Sequence, residues 1–133
     1  MKKIIVIVGW ENGNYSASCE VGGVVVDVNN DLEALKKSFA DLLRFHIEGC
    51  VEDGDDIPAY LVNGDYELEF ELLISAVLHK YDKILTRSAL SRVTGINEKQ
   101  LGHYMSGHRK PRPEKKEQIL NGIRAIGREL ASV

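Results

Sequence analysis

From Leu85 to Gly107 the chain reads Leu-Thr-Arg-Ser-Ala-Leu-Ser-Arg-Val-Thr-Gly-Ile-Asn-Glu-Lys-Gln-Leu-Gly-His-Tyr-Met-Ser-Gly. These are residue types that hydrogen-bond nucleic acid from the surface of short helices. Thr86 caps a helix expected over Arg87 to Thr94, and Gly95 supplies the left-handed residue that ends it in a tight turn. Asn97 caps a second helix from Glu98 to Ser106, stopped by Gly107. Leu90 and Ile96 form the core of the pair, and Ser91 is small enough for close packing. Leu101 and Met105, four apart, anchor the second helix from its inner side. Glu98, Lys99, Gln100 and His103 are then expected to face outward. From there Lys99 donates to guanine, Glu98 accepts from cytosine, and Gln100 pairs with adenine if it points into the groove. Thr86 and Arg87 fall where a phosphate would meet backbone N–H groups. His108, Arg109, Lys110 and Arg112 form a basic loop suited to further phosphates. A small helical bundle with a merely solvated basic face is the competing reading. The Gly95 spacing, the Gly107–Pro111 exit and the local charge favour a helix-turn-helix.

That charge is segregated. Residues 1–74 carry five Lys/Arg and fifteen Asp/Glu, a net of −10, whereas residues 75–133 carry twelve and five, a net of +7. The overall −3 and the pI of about 5.8 conceal two halves suited to partners of opposite sign. A length of 133 residues suits one ordinary domain or two small ones, and 44% hydrophobic with 28% charged residues is a soluble globular composition. The longest apolar run, Ile4 to Gly9, is too short to cross a bilayer. Basic residues precede it, but without signal-peptide length or a cleavage site it reads as a strand, so no membrane association and a cytoplasmic location are expected. Cys19 and Cys50 are then expected as reduced thiols in or near a core. His46 and Cys50 stand four apart, yet two ligands make no metal site. No metal or cofactor is expected, and His79 is taken as a surface residue.

The elements that must position these residues follow from periodicity. Ile4 to Trp10 reads as a buried β-branched strand. Glu11-Asn12-Gly13-Asn14 is a hairpin turn with Gly13 or Asn14 at positive φ. Tyr15 to Glu20 returns, Gly22-Gly23 turns again, and Val24 to Val28 makes a third strand. Asn30 or Asp31 caps a helix from Leu32 to Gly49 with a stripe of Leu32, Leu35, Phe39, Leu42, Leu43, Phe45 and Ile47. Tyr60 to Val62 is expected to extend briefly. Tyr66 to Leu72 alternates cleanly, with Glu67, Glu69 and Glu71 on one face. The pattern then turns helical, which places the boundary between domains 1–72 and 73–133. Four or five short helices follow, one at Asp82-Lys83-Ile84. The last opens at Pro111-x-Pro113 and turns Ile119, Leu120, Ile123, Ile126 and Leu130 inward. The fold class expected is α+β.

With its Ser106-Gly107-His108-Arg109-Lys110-Pro111 exit, the second half resembles the XRE (Cro/phage-repressor) class of helix-turn-helix from about Leu73 to Leu130. It departs from that pattern at Gly102, since glycine within the second helix lowers its propensity by about 1 kcal/mol relative to alanine. That points to a mobile reading head. The first half resembles the HicB family, antitoxins of bacterial HicA–HicB toxin–antitoxin pairs. Gly13-x-Tyr15, the strand–helix order and the string Glu52-Asp53-Gly54-Asp55-Asp56-Ile57-Pro58 carry this likeness. It implies a partial RNase H-like βββαβ domain that occludes a HicA-type toxin, with operator DNA bound through the second half of a homodimer or homotetramer. One departure is Cys19-Glu20-Val21-Gly22-Gly23, a turn shorter than the family's and without its proline. The family's toxin is a small basic ribonuclease, so an acidic partner would steer it in. Glu52, Asp53, Asp55, Asp56, Glu67, Glu69 and Glu71 are the candidates for that contact.

The expected function is therefore that of an antitoxin which neutralises a HicA-type ribonuclease and represses its own operon. The alternative is a free-standing regulator whose first domain only dimerises or senses a ligand. Either would oligomerise, through residues 124–133 and the helix from Leu73 to Tyr81. An RNase H-like fold also raises the question of nuclease chemistry, which needs carboxylates converging on metal ions. Asp27, Glu48 and Asp53 are available, but the first strand carries no companion acid, so no catalytic residue is expected.

Overall fold

Strand β1 (Lys2–Glu11) buries alternate residues, with Val6 and Val8 fully covered and Ile5 left 42% exposed. The reading of a nearly uninterrupted buried strand is thereby corrected, because only one face of the sheet is covered. Asn12 and Gly13 link β1 to β2 (Asn14–Glu20) with φ of 53° and 79°. Two successive positive φ values make a two-residue turn whose twist matches that of the flanking strands. Positive φ falls on Asn12 rather than Asn14, which already pairs with Glu11 in the ladder. Gly22 and Gly23 turn the chain into β3 (Val24–Asn29).

Asp31 caps helix α1 (Leu32–Glu52), accepting from the Ala34 N–H at 2.9 Å. Leu32, Leu35, Phe39, Leu43, Ile47 and Cys50 form its buried stripe. Phe45 does not belong to it and is 75% exposed. It stands two residues from both Leu43 and Ile47, which sends it to the opposite side of a 3.6-residue helix. Tyr60 to Val62 is not extended but lies in a single helical turn, α2 (Ala59–Val62). Burial of Leu61 and donation from Arg44 to the Leu61 and Val62 carbonyls, at 3.0 and 2.9 Å, favour that turn. Strand β4 (Tyr66–Leu72) then lies parallel to β1, from Lys2 beside Tyr66 to Val8 beside Leu72. A parallel pair needs a long crossover, which the helical segment between β3 and β4 provides. The sheet order is β3-β2-β1-β4.

Register assigns the two faces. Val6, Val8, Ala17 and Val25 are buried on the α1 side, where Phe70 meets Phe39 edge-on at 6.3 Å. Ile5, Ile7, Ser16, Ser18, Val24, Val26, Val28, Glu67, Glu69 and Glu71 share the other face.

The computed structural model describes all 133 residues, which divide into two compact units, Met1–Leu73 and Ile74–Val133. The second holds α3 (Ile74–Lys80), α4 (Arg87–Thr94), α5 (Glu98–Met105) and α6 (Pro113–Ala131) around Ile74, Leu78, Leu90, Ile96, Leu101, Tyr104 and Ile119. Asp82-Lys83-Ile84 forms a turn and not a helix. On α6 the inward stripe stops short of Leu130, which is 64% exposed because the helix is uncovered from Gly127 onward. With a four-stranded mixed sheet and six helices the protein is of the α+β class. No helix is long and apolar enough to cross a membrane.

Candidate nucleic-acid interface

Helices α4 and α5 have eight residues each, too short to be stable alone. Side-chain caps and a shared core hold them. The Thr86 hydroxyl accepts from Ala89 N–H at 3.1 Å, and Asn97 Oδ1 accepts from Gln100 N–H at 2.8 Å. Gly95 closes α4 at φ 78°, a left-handed conformation that a Cβ would strain. Thr94 is buried beside it, donating to the Leu90 carbonyl at 2.7 Å and accepting from Ile96 N–H at 3.2 Å. The Gln118 side-chain amide reaches from α6 to the Thr94 carbonyl. The turn between the helices is thus fastened from both ends, and Thr94 and Gln118 had no distinguishing mark in the sequence.

Outward of this frame stand Glu98 and Lys99, both exposed, and half-buried His103. Gln100 is corrected: it is half-buried, and its amide donates to the Tyr104 hydroxyl at 2.8 Å. That tyrosine is 4% exposed and buries its ring beside Leu101, so Gln100 is drawn along the helix toward it and away from the outward face. Met105 is only half-buried and packs at the edge of the same core. Gly107, at φ 79°, leads into exposed His108, Arg109, Lys110 and Arg112. The His108 ring lies 6.2 Å from that of His103, and Arg109 N–H donates to the His103 carbonyl at 3.2 Å. Lys110, Arg112 and Lys116 line a depression with Pro111, Pro113 and Glu117 at the start of α6. Helix α5, the loop after it and the start of α6 therefore all present cations.

Two glycines are explained by what a side chain would meet. A Cβ on Gly122 of α6 would stand 2.7 Å from Thr94 Cγ2, so its absence lets α6 approach α4 closely. A Cβ on Gly102 of α5 would stand 2.5 Å from Arg87 Nη1. The guanidinium therefore occupies the space over the second helix where a side chain is missing.

His79 is half-buried and not a surface residue. Burial pushes its imidazole pKa down, against opposing contributions from a Met105 backbone hydrogen bond and from Asp82. No three His, Cys, Asp or Glu side chains are grouped to hold a metal ion.

In the first unit, Glu52, Asp53, Asp55 and Asp56 are exposed at the end of α1, where Asp53 is its C-cap. Glu67, Glu69 and Glu71 are exposed on the uncovered sheet face of β4. The two acidic groups thus occupy separate elements. Asp27 accepts from Ser38 at 2.5 Å and Glu48 pairs with Arg44 at 3.4 Å, so Asp27, Glu48 and Asp53 each serve a local contact. His46 Nε2 lies 2.6 Å from the Val21 carbonyl and 3.6 Å from Cys50 Sγ, fastening the Gly22 turn to α1. Cys50 is buried, and burial, followed by Asp55 and Asp53, pushes its thiol pKa up. Compared with the models of known protein families, with curated proteins and with solved structures, the chain matches none.

Proposed function

We propose that the chain is a DNA-binding repressor with an acidic partner-binding unit, an antitoxin of the HicA–HicB kind. The observation that carries this reading is the division itself. The chain divides into a −10 unit and a +7 unit, and the basic one holds two capped helices across a left-handed glycine. Helix α4, the Gly95 turn and α5 are the helix-turn-helix, with α5 as the helix that enters the major groove. Lys99 and Glu98 reach base edges, and Arg87, Arg109, Lys110 and Arg112 bind phosphates, with His103 beside them. Thr86 and Asn97 act first as caps, and each keeps a donor for the backbone. Operator DNA is read by a homodimer or homotetramer, to which the exposed end of α6 at Leu130 contributes.

The βββαβ order, with β4 beside β1, supports a partial RNase H-like reading of the first unit. Its uncovered face supports partner binding. Val24, Val26 and Val28 are 71%, 52% and 56% exposed there on one edge strand, while Glu67, Glu69 and Glu71 border Ile5 and Ile7 from the other edge. Apolar strips bordered by charge are the composition of a docking surface, and the occupant is a small basic ribonuclease. The Glu52–Asp56 loop then steers and does not dock.

The test is co-expression with each small basic protein encoded beside the gene, followed by size-exclusion chromatography and a mobility shift on the gene's own promoter. A co-eluting partner whose RNA cleavage is suppressed, lost on V26E/V28E while promoter binding persists, supports the reading. Promoter binding with no partner identifies a free-standing regulator. Absence of both sinks the proposal.

A further inference from the structure

The two helices of the proposed reading head carry one residue that helix propensity argues against. Gly102 sits in the middle of α5, four residues after Glu98, half-buried and on the side away from buried Tyr104. An alanine there would favour the helix. The space above Gly102 is nonetheless filled, because Arg87 Nη1 stands 2.5 Å and Arg87 Cζ 3.7 Å from where a Cβ would be. Arg87 is the first residue of α4, next to the Thr86 cap, and its backbone lies on the other helix. Its side chain therefore crosses to the exposed face of α5. The chain's two ion pairs are Lys36–Glu33 and Arg44–Glu48, so this guanidinium is not neutralised by a carboxylate.

Resting on the DNA-binding reading above, we infer that Gly102 is a positioning residue for Arg87. The missing side chain seats the guanidinium on the outward face of α5, beside Lys99 and His103, where it clamps a backbone phosphate. Seating matters because a long free side chain loses rotamer freedom on binding, and one already held against the helix loses less. A planar guanidinium also offers a phosphate two parallel N–H donors, provided its plane is fixed. The glycine thus exchanges helix propensity for pre-organisation of one cation.

The consequence is a pair of effects of opposite sign. G102A expels Arg87 from its seat while favouring α5, so the full-length protein gains a few degrees in Tm yet binds DNA about ten-fold more weakly. The slope of log Kobs against log salt becomes shallower by about one, the loss of one phosphate contact. R87Q gives the same loss of affinity and slope without the gain in Tm. The double variant G102A/R87Q binds no more weakly than R87Q alone, because both changes remove one contact.

The experiment is fluorescence-anisotropy titration of wild type and the three variants over a salt series. The probes are a duplex from the region upstream of the chain's own gene and a scrambled duplex, and Tm is measured in parallel. G102A binding as tightly as wild type with an unchanged slope overturns the inference. So does a double variant weaker than R87Q alone, which would mean that the alanine methyl obstructs DNA directly. Failure of the wild type to bind either duplex in a salt-dependent way removes the DNA-binding reading itself, an outcome distinguishable from the first two in the same titration.

Discussion

Gly122→Ala tests the packing of α6 against α4. The added Cβ would lie 2.7 Å from Thr94 Cγ2 and 3.5 Å from Val93 Cγ1. Thr94 cannot turn aside cheaply, since its hydroxyl is engaged with both the Leu90 carbonyl and Ile96 N–H. The strain must pass to the backbone, so α6 moves away from α4 or the Gly95 turn loosens. Overpacking of this kind costs about 1–3 kcal/mol, and a pinned β-branched neighbour places it in the upper part of that range. Alanine returns about 1 kcal/mol of helix propensity, leaving a net loss of about 1–2 kcal/mol. For a unit of this size that lowers Tm by about 5–15 °C. The assay is urea and thermal unfolding of the full chain by far-UV circular dichroism, which reports the helices of both units. Fluorescence of Trp10, the single tryptophan, follows the sheet unit. Gly127→Ala in the same helix, where a Cβ meets nothing within 4 Å, is the control and gains up to about 1 kcal/mol. If G122A is as stable as G127A, the close approach of α6 to Thr94 is not a constraint and the reasoning fails.

Four further outcomes follow from single side chains. His79 has a folded pKa below its ordinary 6.5, so the unfolded chain binds more protons as pH falls through that value. The stability of the helical unit is therefore full above about pH 6.5 and declines below it, and H79Q flattens the decline in midpoints measured from pH 7.5 to 5. Arg44→Ala removes the donors to the Leu61 and Val62 carbonyls and costs about 1–2 kcal/mol by urea titration; a wild-type midpoint would refute it. Both thiols have raised pKa values, Cys19 by burial and Cys50 by burial and then Asp55. Thiol reagent at neutral pH should label half-buried Cys19 before Cys50, and both faster in urea; the reverse order would refute the burial of Cys50. Phe45→Ser is expected to leave the midpoint within about 0.5 kcal/mol, since the ring is 75% exposed; a large loss would restore it to the core stripe.

Local chemistry was readable and its tertiary consequences were not. Thr86, Gly95 and Asn97 carry cap and turn signals that act within four residues, so the limits of α4 and the start of α5 could be placed from types alone. The period-two pattern of Tyr66–Leu72 likewise marked β4 and its acidic face. Phe45 misled because an apolar residue near a stripe counts toward periodicity even when its angle is wrong by half a turn. Tyr60–Val62 misled because three residues are too few for any period, and a distant arginine decides their form. At Gln100 the pattern gave a helix position at the border of two faces, and Tyr104 decided which way the side chain went. The contact of His46 with the carbonyls of the Gly22 turn joins residues about 25 apart in sequence, beyond any local signal.

Gly102 shows how a local rule misleads at an outward position of a packed helix. As a sequence feature it contradicts the helix that contains it, and propensity alone makes it a weak point. Helix α5 does not rely on propensity, however: eight residues are below the length at which a helix stands by itself. Asn97 satisfies its first turn, and Leu101 and Tyr104 bury its inner side against Leu90, Ile96 and Ile119. With the fold carried by that side, the outward positions are released from structural duty, and a loss of about 1 kcal/mol there is tolerable. A glycine at an outward position of a well-anchored short helix can thus be explained by what lies over it. Here that is a guanidinium from the neighbouring helix. The same logic separates the three helical glycines of α5 and α6. One admits a neighbouring helix at Thr94, one admits Arg87, and one, Gly127, admits nothing and should yield to alanine without loss.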